Sequence, residues 1–391
     1  MSTTLDEQAD AEQIDAEAEK PQRPLTIREQ KYRQAEAEGM NPEALEALEF
    51  RMKLLYPFLD DEDTQEIVVN EVGEIWSWKK GKWVVDKVPE LTLEVLDSIG
   101  RNLANFSRKT FDRHHTSLSA FMPVTGERIE MTHPPTCPEN TRYLNVRKHS
   151  VHTFQHESLV KAGYYEKTRH EFSSSVPKER RDELFEHLTD EEKELWTLIT
   201  TGRFSEFMEK AVEHHQNIVA SGATGSGKTS YLRSLCEFID HDERIITAED
   251  TPEMPLPNHR NRNSLFYKKT DDGEGVNAKD VLHSVMRKTP NRVLMAELRG
   301  DEAMYYLSGV LSSGHPGGLT TTHANSPKDA FFRLALLIKQ SDAGQGLELQ
   351  DILMLLRQTV NVVVQVTFNP KVGRYIPAIY YDPMYRLSLL D

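Results

Sequence analysis

Cysteine is nearly absent: Cys137 and Cys236 are the only two in 391 residues. Two thiols cannot build a disulfide framework or a four-cysteine zinc site, and each reads as a small buried hydrophobe. No apolar run approaches the roughly 20 residues that span a bilayer. The opening MSTTLDEQADAEQ lacks the basic start and apolar stretch of a signal peptide. The expectation is a protein made and kept in the cytosol. Positive charge is also short, with 47 Lys and Arg against 62 Asp and Glu, a net −15. That balance disfavours a broad non-specific grip on nucleic acid, which needs a basic footprint. Residues 1–19 hold seven acids and no Lys or Arg. Such a segment cannot bury enough apolar surface to offset its ordering entropy. Residues 1–40 therefore read as a disordered acidic tail and a frayed helix.

What is present is a globular composition, 38% hydrophobic and 28% charged, in a chain long enough for two or three domains. Residues 41–150 read as an α+β N-terminal domain. Asn41 caps a helix with Pro42 at its first position, and Leu45, Leu48, Met52 and Leu55 repeat at helical spacing. EIVVN, EIWSW and KWVVD are strands separated by the turns EVGE and KKGK. A second helix presents Val95, Leu96, Ile99, Leu103 and Phe106 on one face, and the strands LSAFM, RIEMTH and RYLNV follow. Residues 151–190 are mostly polar and read as a linker with one helix. From 191 to 391 helices and strands alternate, ending in the hairpin VNVVVQVTF and YIPAIYY. Alternation of that kind implies a largely parallel sheet wrapped on both faces.

One motif opens the chemistry. The strand NIVAS runs into Gly222, Ala223, Thr224, Gly225, Ser226, Gly227, Lys228, Thr229 and Ser230, which satisfy G-x-x-x-x-G-K-[ST] ahead of a helical segment. Glycines let successive backbone N–H groups face a phosphate, the helix N-terminus adds a favourable dipole, Lys228 reaches the β- and γ-phosphates and Thr229 holds Mg²⁺. Three further segments end at predicted strand tips, where ligands of open α/β sheets bind. RIITAEDTPEM supplies Glu249 and Asp250, which otherwise serve as turn caps. RVLMAELRGDEA supplies Glu297, which otherwise pairs with Arg299. GHPGGLTTTHANS supplies His323, placed to sense a γ-phosphate. The pairs His114-His115 and His214-His215 have no partners at ligand spacing and read as solvated or packed imidazoles.

In this order and spacing the four segments resemble the secretion-ATPase superfamily, most nearly the hexameric traffic ATPase of bacterial type IV secretion systems. VVNEVGEIWSWKKGKW looks like that family's N-terminal signature and SGHPGGLTTTHANS like its histidine box. The resemblance implies an α/β architecture with a RecA-like P-loop ATPase domain over 191–391 and the smaller α+β domain before it. It places Lys228 and Thr229 on the Walker A pair, Glu249 and Asp250 on the acidic box, Glu297 on the Walker B glutamate, Glu302 on the next acid and His323 on the histidine box. Ala296 stands where the family usually shows glycine. Arg128 in TGERIE and Arg147 in NVRKHS resemble the arginines that the N-terminal domain brings to the nucleotide.

The implied cofactors are ATP and Mg²⁺, with Thr229, Glu249 and Glu297 as metal ligands and Glu297, Glu249, His323, Arg128 and Arg147 in catalysis. The general base is open between Glu249 and Glu297. Also implied are a homohexamer, no stable DNA binding, and peripheral attachment at the cytosolic face of the bacterial inner membrane. The partners there are type IV secretion components including a second ATPase, and the ring powers pilus assembly and transfer of DNA or protein. The alternatives are a type II secretion or type IV pilus motor, whose usual tetracysteine site two cysteines cannot make, and a nucleic-acid translocase using NHRNRNSLFYKK as a basic loop. A ring platform that turns nucleotide over negligibly is a further alternative.

Overall fold

The computed structural model describes residues 27–40, 42–148, 155–267 and 276–390. The expected tail over 1–26, the Asn41 cap, and Lys268 and Lys269 of the basic loop lie outside the described residues. The chain divides into two units, Met1–His149 and Ser150–Asp391.

In the first unit, β1 (Thr64–Val69), β2 (Glu74–Lys79), β3 (Lys82–Lys87), β4 (Ser117–Phe121), β5 (Arg128–Thr132) and β6 (Tyr143–Arg147) form one sheet in the order β3-β2-β1-β6-β5-β4. Every pairing is antiparallel. An antiparallel sheet can bury one face and wet the other, and the alternation along these strands does so. Leu118, Ile129, Met131, Leu144 and Val146 point inward with Ile67 and Ile75. The helix Leu93–Phe106 lays Leu96, Ile99 and Leu103 on that face, and Thr92 caps its start by accepting the Val95 N–H at 3.3 Å. Leu48 and Met52 of the helix Pro42–Met52 join the same core, as the helical spacing predicts.

The second unit contains β7 (Arg169–Glu171), β8 (Ile218–Ser221), β9 (Ile245–Glu249), β10 (Arg262–Phe266), β11 (Arg292–Met295), β12 (Leu319–Thr322), β13 (Val362–Asn369) and β14 (Gly373–Tyr381). Their order is β10-β9-β11-β12-β8-β13-β14-β7. From β10 to β13 all neighbours are parallel, while β14 runs antiparallel to β13. Every residue of β8, β9, β11 and β12 is buried, which a parallel sheet requires because its crossovers cover both faces. Side-chain alternation sorts these residues into two cores. Ile218, Ala220, Leu294 and Val364 pack with Tyr231, Leu232 and Leu235 of the helix Lys228–Leu235. Val219, Val293, Met295 and Val363 pack on the opposite face with Phe331, Leu334 and Ile338 of the helix Pro327–Gln340. Among the described residues no helix is long and apolar enough to cross a membrane.

Two segments differ from the sequence expectation. Of the segment 151–190 read as a linker, residues 155–190 carry the helix His156–Lys161, strand β7 and the helix Lys178–Glu186, and they belong to the second unit. β7 extends the sheet by pairing with Ala378–Tyr380 of β14. The Arg181 guanidinium, mostly buried, grips the fully buried Asp382 carboxylate at 2.8 Å. The helix expected over DEAMYYLSGVLS is a short α turn, Glu302–Met304, continued by the π-helical stretch Tyr305–Leu311.

Candidate active site

β8 enters the sheet between β12 and β13, although β9 follows it in sequence. Chain order therefore reverses beside β8, and the loop leaving its carboxyl end opens at a topological switch point, where ligands of such sheets bind. Two glycines shape that loop. Gly227 takes a left-handed φ of +98° where the helix begins, a conformation that strains any side chain. At Gly222 a Cβ would lie 2.2 Å from the carbonyl oxygen of Val366, so the chain can pass against β13 only without one. Ser221 at the end of β8 donates to Gln365 Oε1 at 2.5 Å, and Gln365 Nε2 donates to the Ala324 carbonyl at 3.2 Å. A buried amide thus ties the loop's origin to β13 and to the segment after β12.

Lys228 begins the helix and turns its ammonium back into the loop. It donates to the carbonyls of Gly222 at 2.9 Å and Ala223 at 3.1 Å and stands 3.2 Å from His323 Nδ1. His323 follows β12, and its Nε2 lies 2.8 Å from Glu297 Oε1. His323 Nδ1 also lies 3.2 Å from the Gly222 carbonyl oxygen, so the ring either accepts from Lys228 or donates to that carbonyl, according to its tautomer. Glu297 follows β11, with its side chain 12% exposed. Its Oε2 accepts from Arg299 at 2.6 Å, and Arg299 donates to Asp250 at 3.0 Å. Burial pushes the Glu297 carboxyl up, but Arg299, His323 and Lys228 outweigh it and hold the group below its ordinary range. Both readings of Glu297, partner of Arg299 and strand-tip carboxylate at the phosphate loop, describe the same side chain.

Lys228, His323 and Glu297 therefore stand side by side at the end of the phosphate loop. Glu249 is oriented differently. It is 1% exposed, and its Oε1 accepts from the Thr247 hydroxyl at 2.6 Å. Its Oε2 accepts from the backbone N–H groups of Glu253 and Met254 at 2.7 and 2.8 Å. Burial raises this carboxyl despite those bonds. It closes the turn after β9, and its neighbour Asp250 is the acid that joins Arg299. Glu302 also binds backbone, since its Oε1 accepts from the N–H groups of Arg299 and Gly300 at 2.6 and 2.7 Å and shapes the loop that carries Arg299.

Arg128 and Arg147 belong to the first unit. They face each other across β5 and β6, on the side of the sheet away from Ile129 and Val146.

For a metal, no three His, Cys, Asp or Glu side chains cluster among the described residues. A Mg²⁺ bound with a nucleotide takes most of its ligands from phosphate and water and needs only one or two oxygens from the protein. The Thr229 hydroxyl, half-buried directly after Lys228, and the ionised Glu297 carboxylate suit that donor set. Glu249, fully buried with both oxygens hydrogen-bonded by the chain, does not, whereas Glu297 Oε1 accepts no hydrogen bond among the described residues and is free to take a ligand.

Residues 192–371 match the family described as Type II/IV secretion system protein. The type IV secretion system protein VirB11 of Brucella suis is 35% identical over 348 residues, covering 88% of this chain and 92% of its own. The chain belongs to the VirB11 family. VirB11 of Bartonella quintana is 34% identical over 337 residues, covering 85% of this chain and 92% of its own. Among solved structures the Legionella pneumophila ATPase DotB shares the fold, with 17% identity, a TM-score of 0.53, and coverage of 88% of this chain and 84% of that one. In this VirB11-family chain, sequence reading passed over Gln365. Its one signal was a lone amide inside the apolar run VNVVVQVTF.

Proposed function

We propose that ATP with Mg²⁺ is the ligand of residues 222–230 and that its hydrolysis drives a homohexameric ring of this chain. As a VirB11-family member the chain is an ATPase of a type IV secretion system. The observation that supports the mechanism is the contact series Lys228, His323, Glu297, Arg299, Asp250, which starts at the phosphate loop.

Lys228 places its charge against the β- and γ-phosphates, and loop N–H groups supply further donors. Thr229 and Glu297 would hold Mg²⁺, which when bound neutralises charge between β- and γ-oxygens. Glu297 stays ionised at neutral pH, because its neighbours hold its carboxyl low. It therefore accepts a hydrogen bond from water and aims that water at the terminal phosphorus. Arg299 binds one Glu297 oxygen, and His323 stands 2.8 Å from the other. Glu249 acts through the chain, holding the turn that presents Asp250. Arg128 and Arg147 complete the charge balance, a contribution that in related chemistry is worth about 10³–10⁵ in rate. The ring works peripherally at the cytosolic face of the inner membrane, with other secretion components including a second ATPase, on a DNA or protein substrate.

Phosphate release and nucleotide binding test this together. Glu297→Gln should bind ATP with near wild-type affinity and hydrolyse it at least about 100-fold more slowly. A variant that turns over at the normal rate removes Glu297 from the reaction.

A further inference from the structure

Strand order gives the phosphate loop two distinguishable flanks. β12 and β11 lie to one side of β8 and bring His323 and Glu297, while β13 and β14 lie to the other. The helix-opening Lys of such a loop meets the β- and γ-phosphates, and the water-orienting acid stands beyond the γ-phosphate. A nucleotide with its terminal phosphate at Lys228, His323 and Glu297 therefore extends its sugar end toward β13 and β14.

Arg374 stands on that second flank. It is half-buried near the start of β14. Its Nη2 lies 3.5 Å from the Gly225 carbonyl, and its Cδ and Nε lie 3.0 and 3.1 Å from where a Cβ on Gly227 would stand. The guanidinium covers the Phe368 ring, 5.3 Å from its centroid, in the same hairpin. Tyr164 is tied to β14, its carbonyl accepting from the Ile376 N–H at 2.8 Å. Among the described residues Arg374 forms no ion pair with a carboxylate. A guanidinium without a carboxylate partner, steadied by an aromatic face beside an anion-binding loop, is arranged to receive phosphate oxygens.

We propose that Arg374 binds the α-phosphate of the nucleotide, from within the same unit as the loop and from the side opposite Glu297. This rests on the reading of residues 222–230 as the ATP site. Arg374 is then a binding residue for ADP and ATP alike, since both carry the α-phosphate. Inorganic pyrophosphate, held by the loop and Lys228, does not depend on it.

Calorimetric titration of the full chain with Mg·ADP, Mg·ATP and pyrophosphate tests the assignment. Arg374→Ala should weaken ADP and ATP by the same factor, about tenfold, as expected for loss of one charge-assisted hydrogen bond. Pyrophosphate affinity should stay unchanged, and Arg374→Lys should recover most of the loss. Unchanged ADP affinity in Arg374→Ala, an equal loss for pyrophosphate, or no recovery in Arg374→Lys each overturns the proposal. Failure of the wild-type chain to bind ADP would instead overturn the reading of the loop itself, and this proposal with it.

Discussion

The ammonium of Lys228 is hydrogen-bonded to two carbonyls of its own loop and meets an imidazole. Such a group is held in place before a ligand comes, and its removal takes away the loop's positive charge without unmaking a core contact. Lys228→Ala should therefore keep its melting temperature within a few degrees while phosphate release falls to background. Near-normal turnover in that folded variant would end the role given to Lys228. Residue by residue, the sequence showed which side chains lie at strand tips but not which way each one turns. Glu249 and Asp250 are adjacent acids at one tip, and successive side chains on a strand point to opposite sides. Which of the two meets Arg299 depends on the Glu253 and Met254 amides, and no pattern in RIITAEDTPEM encodes that. Arg374 was equally hidden: it is near the loop only because β14 returns beside β13.

Among the elements, the buried strands and the loop-helix junction were legible, since four- and five-residue apolar runs between helical patterns have few other uses. β7 was not. Its three residues, Arg-His-Glu, have no apolar alternation, and only the β14 edge makes them a strand. The start of β11 is held by another contact that sequence did not announce. Fully buried Arg292 donates to both Glu243 oxygens, at 2.7 and 2.9 Å. Burial pushes the Glu243 carboxyl up, but the bonds and charges of His215 and Arg292 prevail and bring it down to about 2. Unfolded, the group titrates at about 4.3. The pair thus adds stability above that pH, and the gain is lost as pH falls toward 2. Glu243→Gln leaves a buried guanidinium without its countercharge and should cost about 3 kcal/mol at pH 7. Denaturant melts should show the gap from wild type closing below about pH 4.5; a gap independent of pH would exclude the ion pair as its source.

For the whole molecule, the first unit presents an unusual pairing. Arg128 and Arg147 are direct cross-strand partners on a solvent-facing surface, where like charges destabilise a sheet by roughly 0.2–1 kcal/mol. Glu66 of β1 faces Arg147 from its other side, so the row keeps one net positive charge with which to meet an anion. Arg128→Ala should accordingly lower kcat by about 10³ while leaving the melting temperature equal or slightly higher. An unchanged kcat would assign Arg128 to ordinary surface. Native mass spectrometry with ATP should find assemblies of six times the 44.8 kDa chain, and a monomer under all nucleotide conditions would refute the ring. The two-unit division was visible as a change from antiparallel to alternating patterns. Residues 155–190 join the second unit through Leu159, Val176, Leu184 and Leu188, whose irregular spacing gives hydropathy no pattern to register.

The contact between Lys228 and His323 has a corollary for signalling. An incoming polyanion that claims the lysine withdraws the donor that His323 Nδ1 was using. Nδ1 is then left with the Gly222 carbonyl at 3.2 Å, while Nε2 still faces Glu297 Oε1 at 2.8 Å. A ligand on the loop would thus be felt at His323, and Glu297 and Arg299 stand in line between that residue and Asp250 at the β9 turn.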